Sequence, residues 1–265
     1  MSEAQSEDYV KVERIGHIAV VEMNRPPHNF IDVPLLRAVA DSFDQLDADV
    51  GCRCVVLAAA GKSFCGGGSF VERGPDKEIE QARAAPKENP VYAEGLRLFG
   101  FRKPIVAAVH GAAIGGGLGL ALVADFRVTC EEARFSANFT RLGFHPGFGL
   151  TVTLPELIGK NQAELMFYTS RRIRGDEAQA MGLANVLVAQ SQVREAAVTL
   201  ATEIAECSPL GLLETRATMR GDLVERVRRA TEREFEVQNR LRLTADYREG
   251  VKAMGERRVP DFVGA

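Results

Sequence analysis

Residues Lys103–Val128 read KPIVAAVHGAAIGGGLGLALVADFRV, and three kinds of segment meet in them. Ile105–Val109 is a continuous apolar run bounded by Pro104 and Gly111, the pattern of a short buried strand. Leu118–Ala124 has the composition of a buried helix. Between them, Gly115, Gly116 and Gly117 remove every Cβ where the helix should begin. A helix start leaves backbone N–H groups without intrahelical acceptors and carries the positive end of the helix dipole. Bare backbone at such a point admits a phosphate, a carboxylate or the developing oxyanion of a reacting carbonyl. Close packing of strand on helix would ask for the same glycines, so this stretch alone leaves both meanings open.

Working outward, two more glycine turns follow apolar or strand-like runs: GKSFCGGGSF at Gly61–Phe70 and TRLGFHPGFG at Thr140–Gly149. Val10–Ile15 and Ile18–Met23 flank Gly16-His17 as a β-hairpin, after a frayed tail over residues 1–8. Beyond the Pro-broken NRPPH loop, Asp32 should cap a helix from Val33 to Ala48, with Leu35, Leu36, Val39, Phe43 and Leu46 on one face. Val55–Ala59 is a buried strand, Phe126–Cys130 and Ala133–Ser136 are short strands, and helices are expected at Val91–Phe101 and Leu150–Ile158. The charged, proline-containing stretch Val71–Pro90 reads as a mobile surface segment with at most one short helix. Past Lys160 the pattern is helical, with segments near 161–169, 176–181, 192–207, 209–220, 222–240 and 244–254. The shift near residue 190 divides a mixed core, 1–190, from a helical region, 191–265.

With 265 residues and 46% hydrophobic content the chain can bury a sizeable core. A net charge of −3 gives no electrostatic case for nucleic acid or an anionic membrane surface as partner. Five cysteines without a CxxC pair, and no HxxxH spacing, point to no metal site. Cys52 and Cys54 should share the core face of a strand. The polar N-terminus and the lack of a membrane-length apolar run fit a reducing cytoplasm. A dinucleotide fingerprint fails because residue 120 is leucine where GxGxxG needs its last glycine, and no GxxxxGK[ST] or GxSxG occurs.

In order and spacing, the NRP loop, GKSFCGGGSF, KPIVAAVHGAAIGGGLGLALVADFRV and FHPGFG resemble the motifs of the crotonase (enoyl-CoA hydratase/isomerase) superfamily. So do RIRGDEAQAMGLANVLV at 172–188 and the closing TADYREGVKAMGERRVPDF, so the resemblance spans the chain. It implies an α/β fold, a spiral of ββα repeats with a C-terminal helical trimerisation region, and a homotrimer or dimer of trimers. It also implies an acyl-CoA thioester as ligand, with coenzyme A entering as part of the substrate and no permanently bound cofactor. The thioester oxygen would sit between the backbone N–H groups of Gly68 and Gly116, one from each glycine motif, as an oxyanion hole. The substrate pocket would be lined by Phe30, Cys65, Gly66, Gly67, Ile114, Gly115, Phe139, Leu142 and Phe144. Val71–Pro90 matches the family's variable segment, which would set chain-length preference.

The resemblance thins where the family places its acids. The two hydratase glutamates fall at Gly119 and Phe139, and a third position, aspartate in some isomerases, falls at Gly147. No Asp or Glu occurs from Ser136 to Gly149, so ordinary hydration lacks an evident base. Three readings stay open. The chain is an enzyme of lyase or isomerase type using another base, with His145 the first candidate and Tyr92 and Glu94 on the preceding helix the next. Or it binds acyl-CoA without turnover, with Phe139, Phe144 and Phe148 making an apolar pocket for a long or cyclic acyl group. Or it is a helical assembly protein whose glycine turns are structural. His145 bonded to a loop carbonyl, His110 at a strand end, and His28 and His17 in turns are the structural alternatives to catalysis.

Overall fold

The computed structural model describes residues 9–70, 74–84 and 87–265. The expected frayed tail at 1–8 lies outside the described residues, as do 71–73 and 85–86 of the expected mobile segment. Strands β1 (Val10–Ile15) and β2 (Ile18–Met23) form the expected hairpin, Val10 opposite Met23. Helix α1 (Val33–Ala48) starts where Asp32 predicts it, the Asp32 Oδ1 accepting the Leu35 N–H at 2.9 Å and Pro34 sitting in the first turn. Its five predicted apolar positions are all buried.

The remainder winds as a spiral in which each turn gives one strand to each of two sheets. β3 (Cys54–Ala59), β5 (Ile105–Val109) and β7 (Phe126–Thr129) extend a six-stranded sheet in the order β1-β2-β3-β5-β7-β10, the last being Val186–Leu187. Each is followed by a three-residue strand, β4 (Ser63–Cys65), β6 (Ala112–Ile114) or β8 (Arg134–Ser136), and these join β9 (Ile173–Arg174) in a second sheet. β3 and β5 are buried along their whole length, as parallel strands covered on both faces must be. β8 falls within the predicted strand Ala133–Ser136, whereas β4 and β6 escaped sequence reading because three residues beside a glycine turn carry no periodicity. Helix α2 (Pro75–Arg83), α3 (Pro90–Gly100), α4 (Gly116–Ala121) and α5 (Leu150–Ile158) follow successive turns. α4 starts two residues before the predicted Leu118 and stops at Ala121. Cys52 and Cys54 are both buried, but the strand begins at Cys54 and Cys52 lies in the turn before it.

Helices α6 (Lys160–Thr169), α7 (Gly175–Ala180), α8 (Val193–Ala205), α9 (Pro209–Arg220), α10 (Leu223–Leu241) and α11 (Ala245–Glu256) complete the chain. α8 lies against β2, β3, β5 and β7, burying Val193, Ala197, Ala201 and Ala205 on the sheet. α9 is held by Asp125, whose carboxylate accepts the Ile105 N–H at 2.8 Å and pairs with Arg216 at 2.9 Å and Arg220 at 3.2 Å. α10 crosses α3 and α5, and α11 packs on α2 and the turn at Thr140–Leu142. The stretch expected as a surface segment therefore contains a packed helix: in α2, Glu78, Ile79 and Ala82 are buried beneath the C-terminal helices. Its charge-rich composition hid this because the partners that bury it lie some 160 residues further on. Among the described residues no single helix is long and apolar enough to cross a membrane.

Candidate functional site

The two glycine motifs meet because the strands preceding them are neighbours. β4 and β6 pair in parallel, Ser63 beside Ala112, so the turns at 66–68 and 115–117 leave the same end of one sheet side by side. Contact at this junction is too close for side chains. Gly67 has φ +76°, and a Cβ there would fall on the Ile114 carbonyl; one on Gly117 would fall on the Cys65 carbonyl. The NRPPH loop clamps the first turn from outside. Ile31 N donates to Gly67 O and Gly66 N to His28 O, each at 2.8 Å. Asn29, fully buried, donates to Ala60 O at 2.7 Å and Ser63 O at 2.9 Å and accepts the Arg25 N–H at 2.8 Å. Its left-handed backbone, φ +48°, suits asparagine. Sequence reading missed this residue, although an Asn closing a Pro-Pro loop is a turn signal. The N–H groups of Gly68 and Gly116 have no acceptor among the described residues, and both glycines line a cavity.

That cavity encloses about 380 Å³. Of the expected pocket residues, Gly66, Gly67, Gly68, Ile114, Gly115, Gly116, Phe139, Leu142 and Phe144 lie in its wall. Phe30, Cys65 and His145 do not. Phe30 is turned against Gly66 on the outer side of the turn, and its neighbour Ile31 reaches the cavity instead. Cys65 is completely buried behind the turn, its Sγ donating to Asn29 O at 3.0 Å, and burial pushes its thiol up to about 12. His145 faces away: its Nδ1 lies 2.8 Å from Pro146 O, and its carbonyl accepts from Gln238 Nε2 at 2.8 Å. His28 is tied to Ser63 Oγ at 2.9 Å, His110 to Gly61 O at 3.0 Å and His17 to Gly51 O at 3.1 Å. Glu94 is buried rather than solvated, but outside the cavity, where Arg37 holds it at 2.8 Å and Arg97 at 2.6 Å.

The positions without acids are filled, not empty. Phe148, with φ +62°, drives its ring over Gly119, and a Cβ on Gly119 would stand 2.8 Å from both Phe148 Cβ and Cδ1. A Cβ on Gly147 would collide with the Tyr92 hydroxyl and lie 2.5 Å from Gln238 Nε2. Tyr92 Oη donates to Gln238 Oε1 at 2.9 Å, and the Gln238 amide in turn holds the 145–146 carbonyls. Burial, with Glu234 nearby, pushes the Tyr92 phenol up, so it stays protonated. Glu234, 1% exposed, fixes the same turn by accepting Gly149 N at 2.8 Å and Thr151 Oγ1 at 2.6 Å. Burial raises its pKa against the opposing pull of those bonds.

Glu78, on α2, is a buried carboxylate in the cavity wall, and it pairs with Arg242, also in the wall, at 3.5 Å. Asp32 and Glu88 also border the cavity; Asp32 is occupied as the α1 cap and as partner of Arg25, and Glu88 is exposed. Glu78, Arg242, Gln238 and Asn138 were not singled out from sequence. Nothing local marks them, since each reaches the cavity only through packing of distant elements.

Comparison with known proteins agrees with this architecture. The family model for enoyl-CoA hydratase/isomerase matches residues 13–265. A short-chain-enoyl-CoA hydratase of Clostridium acetobutylicum is 34% identical over 80% of this chain and 81% of its own length. Enoyl-CoA hydratase EchA19 of Mycobacterium tuberculosis is 30% identical over 99% of each chain. The crystal structure of an enoyl-CoA hydratase/isomerase from Pseudoalteromonas atlantica superposes with a TM-score of 0.84 at 26% identity, covering 96% of this chain and 100% of that one. Paired glycine turns at adjacent strand ends, a spiral of ββα repeats and a match over nearly the whole length lead to one assignment: the chain belongs to the enoyl-CoA hydratase/isomerase family.

Proposed function

We propose that the protein acts on an acyl-CoA thioester and stabilises an enolate of that thioester between the backbone N–H groups of Gly68 and Gly116. The observation that carries the reading is the pair of unclaimed N–H groups, on neighbouring turns, opening onto one cavity. Donors of this kind need no reorganisation as charge develops on the carbonyl oxygen. Addition of water is not the reaction. Phe148 and the Tyr92–Gln238 pair occupy the space over Gly119 and Gly147, so nothing at those positions holds or deprotonates a water. Tyr92, a protonated phenol, and Glu78, a buried carboxylate paired with Arg242, are the wall groups that suit proton transfer at the acyl α-carbon in isomerisation or C–C cleavage. Hydrolysis would use the same two backbone donors for a tetrahedral oxyanion. The filling of the acid positions also favours a second reading, a family member that binds acyl-CoA without turnover. The C-terminal helices, with Leu210, Met219 and Leu243 exposed, are read as a trimerisation surface.

Incubation of crotonyl-CoA and butyryl-CoA with the protein in D2O, followed by NMR, tests both. Deuterium entering butyryl-CoA at C2 without hydration of crotonyl-CoA is the expected result. Binding without exchange gives the second reading. Rapid hydration of crotonyl-CoA would overturn the exclusion of water addition and require a base outside positions 119, 139 and 147.

A further inference from the structure

The wall of the cavity changes character away from the glycine turns. Beside them it is aromatic, with Phe70, Phe139, Phe144 and Phe148. Next to these rings, α10 and the residue just past it add the polar Gln238, Asn239 and Arg242. Arg242 is 9% exposed, and its guanidinium is only partly satisfied. Nη1 donates to Asn239 Oδ1 at 3.1 Å. Nε lies 3.5 Å from Glu78 Oε2, an ion pair without hydrogen-bond alignment. Nη2 meets no acceptor among the described residues. The Phe144 ring, 5.7 Å from the guanidinium carbon, supports the group from one face.

A desolvated cation with unmet donors is costly, and the partner that fits the planar guanidinium fork is a carboxylate, bound through two parallel hydrogen bonds. Position matters as much as charge. Phe144 touches Phe70 at 5.3 Å and Phe139 at 5.6 Å between ring centres, and these two rings border Gly68 and Gly115. Arg242 therefore stands one ring beyond the aromatic side chains that border the glycine turns, within the same cavity.

We propose that the acyl group carries a second carboxylate and that Arg242 recognises it, making the substrate a monothioester of a dicarboxylic acid. The proposal rests on the thioester reading above and adds the chemistry of the distal end. The phosphates of coenzyme A are the other anions such a ligand brings; contact with them would make Arg242 matter equally to every CoA ester.

The test is calorimetric binding to wild type, R242Q and R242K. Succinyl-, glutaryl- and adipyl-CoA are each compared with the unsubstituted ester of equal length: butyryl-, valeryl- and hexanoyl-CoA. At least one dicarboxylic ester should bind roughly tenfold or more tightly than its counterpart, the scale of a charge-assisted pair. R242Q should erase that ratio while leaving the unsubstituted esters within about twofold of wild type. R242K, which keeps the charge beside Glu78 but not the fork, should retain part of the ratio and shows that the fold survives. No preference in any pair, or equal weakening of both members by R242Q, overturns the proposal and leaves the thioester reading standing. Failure of every ester and of free coenzyme A to bind would overturn the thioester reading itself, and this proposal with it.

Discussion

Gly116→Pro isolates the proposed oxyanion donor more cleanly than any side-chain deletion. Gly116 is the first residue of α4, the helix position where proline is best tolerated because its missing N–H has no intrahelical acceptor. The substitution therefore removes the donor while leaving the helix its usual start. Its partner variant is Gly116→Ala, which keeps the N–H. The added methyl would stand 3.1 Å from the tip of Ile31, which can shift by a few tenths of an ångström. Loss of one oxyanion donor costs about 3 kcal/mol of transition-state stabilisation, or roughly 100- to 1,000-fold in rate. The assay is C2 deuterium exchange of butyryl-CoA for wild type, G116A and G116P, with free coenzyme A affinity and thermal melting as controls. G116A should exchange near the wild-type rate. G116P should fall by two to three orders of magnitude, on the order of that donor loss, while still binding coenzyme A, whose contacts do not involve the carbonyl. A G116P rate within a few-fold of G116A would refute the assignment of Gly116 as donor.

Two further outcomes follow from the packing around the turn at 144–149. Gly119→Ala places a methyl 2.8 Å from Phe148 Cβ, an atom fixed by its own backbone, and should destabilise the fold by about 1–3 kcal/mol in urea unfolding. Adding Phe148→Ala should recover part of that loss; independent, additive effects would contradict the direct contact. Glu234, with its pKa raised by burial, binds its proton to higher pH in the folded state than in the unfolded one. Its stabilising contribution is therefore complete below the ordinary glutamate range and is lost as pH rises through the raised value. The melting temperature of wild type relative to Glu234→Gln should decline as pH rises from that range; a pH-independent difference would contradict the burial shift.

The sequence by itself determined the elements that carry their own physics. Asp32 capping a helix whose apolar face repeats at Leu35, Leu36, Val39, Phe43 and Leu46 needs no partner to be recognised. The same holds for the apolar run of β5 and the glycines at 66–68 and 115–117, because burial on both faces and close backbone approach each restrict residue type locally. These motifs, in order, also sufficed for the family. Tertiary structure alone decided the pairing of the three-residue strands, whose register depends on neighbours far along the chain. It turned Cys65, Phe30 and His145 away from the cavity, placed Tyr92 but not Glu94 of the two helix candidates in its wall, and brought Glu78, Gln238 and Arg242 into it. A side chain's periodicity tells whether it faces inward, but what it meets there depends on how α2, α3 and α10 pack together. Glycine at 119 and 147 shows the limit most clearly. From sequence they were missing acids; in the fold they are the space taken by Phe148, Tyr92 and Gln238, because a well-packed interior leaves no void of side-chain size.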